Sequence, residues 1–314
     1  MSQAILDEAV QVTPASEFEL PACRSLLPEA LRWDVSPDFL LASTKKPLRI
    51  QGAAAFTTGH RRGDGQRLVR FAARVATPYR GRGIGTQLLN GVEAAARRRG
   101  IKLLSSTVVR RVHDDWADFL VHHGFVSVER QHTFEVDLGR MAEFYLPRRD
   151  WLVERKEIPA AVSVVSLREA PMRELAELFA CHLSSTDEIY NGILRTRTEV
   201  GSDNLGFALM IGGEVQAAIL HRVETSVAFT DALVVAPSLR GDAAKVGWAN
   251  ILLSARAIHW YLDRDVRRVR YVVSASNVRA MRQYSRFKPD ELEVRETFEK
   301  KSLNQSTIQA RKTH

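Results

Sequence analysis

The sequence predicts an α/β protein built from two copies of one unit, and an internal repeat is the main observation behind this prediction. The segment VATPYRGRGIG at Val75–Gly85 resembles VVAPSLRGDAAK at Val234–Lys245, and alignment of Arg80 with Arg240 gives an offset of 240 − 80 = 160 residues. After each segment the patterns predict a helix, a short apolar strand and a second helix at nearly the same spacing. The length of 314 residues agrees with two domains.

In the first copy, turn signals separate short apolar runs from one amphipathic stretch. The Asp-Gly pair in the loop His60–Gln66 is typical of a hairpin connection, and Gly100 closes a stretch whose apolar residues recur at helical spacing. The predicted strands are Val10–Thr13, Phe39–Ser43, Ile50–Thr58, Leu68–Ala76, Ile101–Val109 and Val126–Val136, and the predicted helices are Glu17–Leu31 with a break at Pro28, Gly83–Arg99 and Asp114–His123.

The second copy follows a predicted hinge between Tyr145 and Pro159, where two prolines bracket a charged stretch. We therefore predict an N-terminal domain at 1–145, a linker at 146–159, a C-terminal domain at 160–299 and a polar, frayed tail at 300–314. The predicted strands are Val162–Leu167, the hairpin Phe207–Arg222, Ser226–Val235, Val269–Val273 and Glu291–Glu299, and the predicted helices are Met172–Leu183, Ala243–Leu262 and Asn277–Arg286.

Composition excludes several classes of protein. Hydrophobic residues make up 45% and charged residues 26% of the chain, which is typical of a globular protein. The N-terminus has no basic region before Asp7 and Glu8, and no apolar run approaches the roughly 18 residues of a membrane span. We therefore expect a cytoplasmic protein without a membrane partner. Cys23 and Cys181 lack CxxC spacing and a nearby histidine cluster, so neither a disulfide nor a metal site is expected.

The net charge of +8 and the pI near 9.7 favour an anionic partner, such as a polyphosphate cofactor, an acidic protein or nucleic acid. Nucleic acid is not expected, because the sequence has no base-reading or aromatic stacking motif. The run Arg97–Arg99 ends a predicted helix, where cations complement the helix dipole and face water. The arginines at 264, 267, 268 and 270 have the same interpretation.

The loop Arg80–Gly85 is the strongest functional signal. It follows an apolar strand and opens an amphipathic helix, so glycines there let successive backbone N–H groups converge on phosphate oxygens at the positive end of the helix. A Walker loop would end in Gly-Lys-Ser/Thr, and a dinucleotide fingerprint would have an acidic residue about 20 positions later. Neither is present, and the pattern predicts a different anion cradle.

These residues resemble the GNAT acetyltransferases, whose signature Arg/Gln-x-x-Gly-x-Gly/Ala follows a strand of the form V-x-P-x-Y. Val75, Tyr79, Arg80, Gly83 and Gly85 match, although Thr77 stands where the family has proline, and Pro78 follows it. His123-Gly124-Phe125 also falls at the family spacing.

The resemblance implies an α/β (α+β) fold of two tandem GNAT domains, each with a mixed, mostly antiparallel sheet flanked by helices. It further implies acetyl-CoA, or another acyl-CoA, as co-substrate, with the pantetheine arm paired to the strand end and the pyrophosphate held by the loop and first helical turn. The implied donor-binding residues are Val75, Ala76, Thr77, Arg80, Gly81, Arg82, Gly83, Ile84, Gly85 and Thr86.

The family's later motif, Asn-x-x-Ala-x-x-x-Tyr-x-x-x-Gly-Phe, is divided between the copies. The first copy has His113, Trp116 and Leu120 at the Asn, Ala and Tyr positions, so the tyrosine that commonly protonates the departing thiolate is missing. The second copy keeps Tyr284, with Asn277 and Ala280, but Lys288-Pro289 replaces Gly-Phe. Its loop Arg240–Lys245 has lost both later glycines and carries Asp242, which would repel phosphate.

Two explanations follow for this division. In one, the first copy binds the donor and catalyses by proximity, while the second shapes the acceptor site or an interface. In the other, Tyr284 reaches into the site of the first copy.

Candidates for proton transfer and acceptor recognition are few. The strand before the loop carries Arg70 and Arg74 where the family often has glutamate, and His122 and His123 are among the nearest histidines in sequence. We take Tyr284 and His122 as the catalytic candidates. Arg70 and Arg74 share one strand face, so they are candidates for binding an anionic acceptor or for simple ion pairing with nearby acids.

The sequence thus predicts an acyltransferase that moves an acetyl or other acyl group from acyl-CoA to an amine acceptor, with the donor in the N-terminal domain. The acceptor is a small molecule or a peptide, and the oligomeric state is not predicted. The alternative is a catalytically inactive module that senses acyl-CoA or binds a partner.

Overall fold

The computed structural model describes residues 10–27, 36–45, 48–60, 65–110, 115–182, 206–239 and 247–301. The chain forms two compact units. The first unit contains Met1–Val128 and Glu296–His314, and the second unit contains Glu129–Arg295. Each unit has a mixed sheet flanked by helices, so the predicted fold class is confirmed.

The first unit has its strands in the order β1-β2-β3-β4-β5. The next strand in this order is the last strand of the chain, of which the residues from Glu296 on belong to this unit. Neighbouring strands from β1 to β4 are antiparallel, and β4 and β5 are parallel. The strands are β1 (Gln11–Pro14), β2 (Asp38–Lys45), β3 (Leu48–Thr57), β4 (Leu68–Val75) and β5 (Leu103–Arg110), and the helices are α1 (Leu20–Leu26), α2 (Ile84–Arg98) and α3 (Asp115–His122).

The sheet of the first unit has an apolar core on each face. On one face, α2 and α3 pack against Val69 and Phe71 of β4. On the other face, Ala72 of the same strand packs with Cys23 of α1. This alternation along β4 is the period of two that strand geometry imposes. It places the two sides of β4 in different surroundings.

The second unit has the strand order β6-β11-β10-β9-β8-β7, in which β10 and β11 are parallel and the other neighbours are antiparallel. Its helices are α4 (Leu138–Glu154), α5 (Met172–His182), α6 (Trp248–Leu262) and α7 (Val278–Ser285), and its strands are β6 (Val126–Asp137, from Glu129 on), β7 (Val162–Ser166), β8 (Gly206–Ile211), β9 (Glu214–Glu224), β10 (Val227–Val235), β11 (Arg268–Ser274) and β12 (Asp290–Lys301, as far as Arg295).

The predicted linker at 146–159 is wrong over most of its length. Helix α4 runs without interruption through Pro147, and Tyr145 and Leu152 on this helix are 1% and 5% exposed in the core of the second unit. Proline disfavours a helix interior, but burial of large apolar side chains outweighs that local preference here. The charged stretch is therefore the solvent face of a packed helix.

The C-terminal end of β12 corrects the predicted domain boundary at 299. Phe298 is 1% exposed in the core of the first unit, and the hydroxyl groups of Thr297 and Thr107 lie 3.3 Å apart. Lys300 forms a salt bridge of 2.8 Å with Glu93 of α2. The last described residues of the chain therefore complete the first unit, not the second.

Several features of the sequence prediction lie outside the described residues. They include most of the hairpin loop at 61–64, His113, the loop at 240–246, the side chain of Cys181 and the tail from 302.

None of the helices that the structure describes is both long and apolar enough to cross a membrane.

Candidate functional site

A separation of two parallel strands defines the candidate site in the first unit. The ladder between β4 and β5 has three pairs and ends at Arg70 opposite Ser105, whereas β4 continues to Val75 and β5 to Arg110. On its other edge β4 stays paired with β3 as far as Val75. We call this separation the first fork. Beyond Arg70, the edge of β4 that faces the fork is therefore not paired with β5.

The predicted phosphate loop follows β4 directly. Ala76 N–H donates to the carbonyl of Gln51 at 2.9 Å, and a short 3-10 turn covers Thr77–Tyr79. Gly81 and Gly83 then adopt left-handed φ values of 75° and 76°. A side chain at either position would be strained, although no atom lies within 4 Å of the place where its Cβ would stand. The glycines are needed for backbone conformation, and open space lies over them.

The loop and the first turn of α2 present a row of backbone donors. Among the described residues, no acceptor receives a hydrogen bond from the N–H groups of Gly81–Thr86, and Gly83 caps the helix without a side-chain hydrogen bond. Helix α2 has 15 residues and no acidic residue in its first turn. The positive end of its dipole is thus combined with unsatisfied donors, an arrangement that attracts anions.

Arg80 holds the loop against the strand end. Its Nε donates to the carbonyl of Val75 at 3.3 Å, and its guanidinium lies 3.4 Å from the carboxylate of Asp115. Both members of this ion pair are largely exposed, so the pair is weak and solvent-screened. The Arg82 guanidinium lies 5.8 Å from the ring centre of Tyr79. Both arginines thus contribute positive charge to the rim of the loop.

Two of the predicted donor-binding residues have a packing role as well. The Ile84 side chain is 1% exposed in the core, so only its backbone faces the loop. A Cβ on Gly85 would approach the ring of Phe119 to 3.2 Å. Gly85 therefore allows close contact between α2 and α3.

His123 was not assigned a role by the sequence, yet it contacts the first turn of α2. Its Nδ1 lies 2.8 Å from the carbonyl of Phe119, and its Nε2 lies 3.1 Å from the hydroxyl of Thr86. Because a carbonyl only accepts, Nδ1 carries a proton, and in the neutral ring Nε2 accepts from Thr86. His122, our catalytic candidate, is exposed at the end of α3. The one sequence signal that could have identified His123 is its place in His123-Gly124-Phe125, which falls at the family spacing.

One aromatic side chain of α3, that of Trp116, lies at the closed end of the first fork. Trp116 donates from Nε1 to the Ser106 hydroxyl at 3.3 Å, and its ring meets the ring of Phe71 edge-on at 6.2 Å. Leu120, at the position of the family's tyrosine, is fully buried. The first unit therefore has an apolar side chain in place of a phenol.

Arg70 and Arg74 lie on one face of β4, as the alternation predicts. They flank Ala72, which faces the core on the α1 side, and they pair in register with Thr57 and Ala53 of β3. Arg70 is partly buried and Arg74 is exposed. Their contribution to acceptor binding stays a prediction.

The second unit has a corresponding separation, which we call the second fork. Strands β10 and β11 pair from Val227 to Thr230, opposite Arg268 to Tyr271, and then part. Tyr284 stacks on Tyr271 with ring centres 3.8 Å apart, and burial raises the pKa of both phenols. The cavity left at this place is about 10 Å³, room for one water molecule at most.

This packing shows where the other catalytic candidate lies. Tyr284 is partly buried and packs against the core of its own unit, where its ring also lies 6.4 Å from the ring of Phe287. Its catalytic assignment stays a prediction that these contacts do not favour. No cluster of side chains suited to a metal ion occurs in the parts of the chain that the structure describes.

A parallel strand pair that separates, a glycine-rich loop and a helix N-terminus aimed at the loop together define the GNAT class of fold. Residues 39–127 match the family model described as acetyltransferase (GNAT) domain. A search of curated proteins found no matching relative.

Solved structures extend the similarity over 94% of the chain. A GCN5-related N-acetyltransferase from Sphaerobacter thermophilus is 15% identical with a TM-score of 0.59, and the match covers 94% of this chain and 96% of that one. A tandem GNAT protein from the clavulanic acid biosynthesis pathway is 16% identical with a TM-score of 0.60, covering 94% and 99%. At these identities the similarity shows the fold, which is that of tandem GNAT proteins.

Proposed function

We propose that the protein is an acyltransferase that moves an acetyl or other acyl group from acyl-CoA to an amine acceptor, with the donor bound by the first unit. One observation carries the proposal: the unsatisfied N–H groups of Gly81–Thr86 adjoin the unpaired edge of β4. An elongated donor with phosphates at one end and amides along its length fits this combination.

The proposed donor-binding residues form two groups, one for the pyrophosphate and one for the pantetheine arm. The N–H groups from Arg82 to Thr86 would bind the pyrophosphate, with Arg80 and Arg82 adding charge. The edge of β4 near Val75–Thr77 would pair with the amides of the pantetheine arm. The donor supplies an activated thioester, and the chain positions it beside the acceptor.

The first unit offers few side chains at the fork that could transfer a proton. Leu120 is apolar and buried, so it neither donates nor accepts a proton. Ser106, at the fork, already accepts a hydrogen bond from Trp116. Rate enhancement in this unit would thus come from orientation and from water-mediated proton transfer.

Leu120 also favours a second candidate function, a module that binds acyl-CoA without turnover. The two candidates differ in one measurement, which is thiol release from acetyl-CoA in the presence of a panel of small amines and peptides. Release that depends on the amine supports the transferase. Binding without release by any amine supports the sensor.

The donor site is tested by calorimetric titration of acetyl-CoA into the wild type and Gly83→Glu. The carboxylate would occupy the space over the loop and repel phosphate, so we expect binding at least 100-fold weaker. Gly100→Glu is the matched control, because Gly100 is exposed at the other end of α2 with a similar φ of 65°. Equal affinity of the two variants would overturn the site, and no binding to the wild type would overturn the proposed function.

A further inference from the structure

Trp116 occupies the point at which the two strands of the first fork part. The last pair of the ladder is Arg70 with Ser105, so Phe71 and Ser106 are the first residues beyond it. Trp116 contacts both, by an edge-on ring contact at 6.2 Å and a hydrogen bond at 3.3 Å. The indole therefore spans the closed end of the fork.

The indole is fixed in place from the side of α3. Its ring stacks on Phe119 at 4.9 Å with an interplanar angle of 12°, and Phe119 in turn contacts the ring of His123 at 4.0 Å. His123 is joined to Thr86 at 3.1 Å. This series of contacts connects Trp116 to the first turn of α2. An indole held by stacking and by a hydrogen bond has few alternative rotamers.

The distance along β4 relates Trp116 to the acyl group of a bound donor. From Val75 back to Phe71 the strand spans roughly 13 Å, at about 3.3 Å per residue. An extended pantetheine arm has a similar length. If the phosphates bind at the N-terminus of α2, the thioester arrives beside Phe71, and the acyl chain points towards Trp116.

We propose that Trp116 determines acyl-chain length by closing the fork, so that acetyl and other short acyl groups fit and longer chains clash with the indole. This inference rests on the proposed function, because it takes the first unit as the donor site. Trp116 acts here through its shape, and neither accepts nor donates a proton in the transfer.

The test compares the binding of acetyl-CoA and octanoyl-CoA by calorimetry. The wild type should bind acetyl-CoA at least 10-fold more tightly. In Trp116→Ala the affinity for octanoyl-CoA should rise at least 10-fold, because the removed indole leaves an apolar space, while the affinity for acetyl-CoA changes less than 3-fold. Trp151→Ala is the control, since Trp151 is an exposed tryptophan of the second unit, and it should keep the wild-type ratio.

Trp116→Phe provides a second variant if the alanine variant does not fold. Phenylalanine keeps the stack on Phe119 but is shorter, so the ratio of affinities should lie between those of the wild type and the alanine variant. An unchanged ratio in a folded variant that still binds acetyl-CoA would overturn this inference alone. A wild type that binds both donors equally would do the same. A wild type that binds neither would overturn the proposed function as well.

Discussion

The two forks are built alike and closed differently. In the first unit the loop after β4 has two left-handed glycines with open space over them, and a single indole closes the fork. In the second unit the phenol rings of Tyr271 and Tyr284 stack within the fork and leave about 10 Å³. The first unit thus combines a fork that ends at one indole with a loop that has open space over its glycines, whereas stacked phenol rings fill the second fork.

Under the proposed function, this difference assigns donor binding to one of the two copies of the fold. An aromatic stack in the second fork buries apolar surface and stabilises the unit, but it occupies the space that a donor arm would need. The first unit keeps unsatisfied donors at the start of α2, which stabilise nothing until an anion binds. We therefore expect donor binding to depend on the first unit and to be insensitive to mild changes in the second.

The largest expected effect is on the stability of the first unit. Phe298→Ala should lower its free energy of unfolding by about 3–5 kcal/mol, the usual range for truncation of a buried aromatic ring. Hydrogen exchange should show faster exchange in peptides from β4 and β5, with little change in β9 and β10. Phe18→Ala, at a residue that is 96% exposed, is the control. Loss of protection in β9 and β10 but not in β4 would contradict the assignment of Phe298 to the first unit.

A smaller effect concerns the histidines of the two units. His123 has a partner for each ring nitrogen, whereas His221 is 1% exposed and neither of its ring nitrogens has a partner among the described residues. Burial, together with the charge of Arg264, lowers the pKa of His221 to about 3. Between pH 6.5 and pH 3 the unfolded chain therefore binds a proton at this residue that the folded chain does not, and stability falls as the pH is lowered.

His221→Phe should remove this dependence. Phe207, Trp260 and Tyr261 surround the ring, so phenylalanine suits the site. Between pH 7 and pH 5 the wild type should lose about 2 kcal/mol more of its unfolding free energy than the variant does, as measured by urea denaturation. His122→Phe, at an exposed residue of α3, should keep the wild-type dependence. If His221→Phe also kept the wild-type pH dependence of stability, the interpretation of His221 as a buried, neutral imidazole would be wrong.

The loop and the helices around it were predictable because their signals are local. Gly81 and Gly83 mark a backbone conformation that only glycine adopts easily, and the spacing of apolar residues in α2 reports its buried face. The repeat gave the tandem organisation because it compares segments along one chain. The point at which β4 and β5 stop pairing has no local signal in the sequence, because it depends on how the two strands lie against each other.

Residues that depend on distant partners were not predictable. The alternation at Glu291–Glu299 indicates a strand, but it does not show which sheet the strand joins. The sequence therefore does not predict that Phe298 lies in the core of the first unit. Pro147 suggested a hinge because its local preference opposes a helix, while the burial of Tyr145 that overrides it is a tertiary effect. The contact between His123 and Thr86 joins two residues 37 positions apart in sequence, so the family spacing of His123 marked the residue but not its partner.

The smallest expected effect tests the comparison most directly. If Tyr284 serves only the interior of the second unit, Tyr284→Phe keeps the ring stacked on Tyr271 and should change acetyl transfer, or acetyl-CoA affinity if no turnover is found, less than 2-fold. Tyr284→Ala is the contrasting variant, because it removes the ring and should destabilise the second unit by about 3 kcal/mol. A 100-fold loss of turnover in Tyr284→Phe, with acetyl-CoA affinity intact, would instead make its phenol the proton donor. The division of functions between the two units would then be wrong.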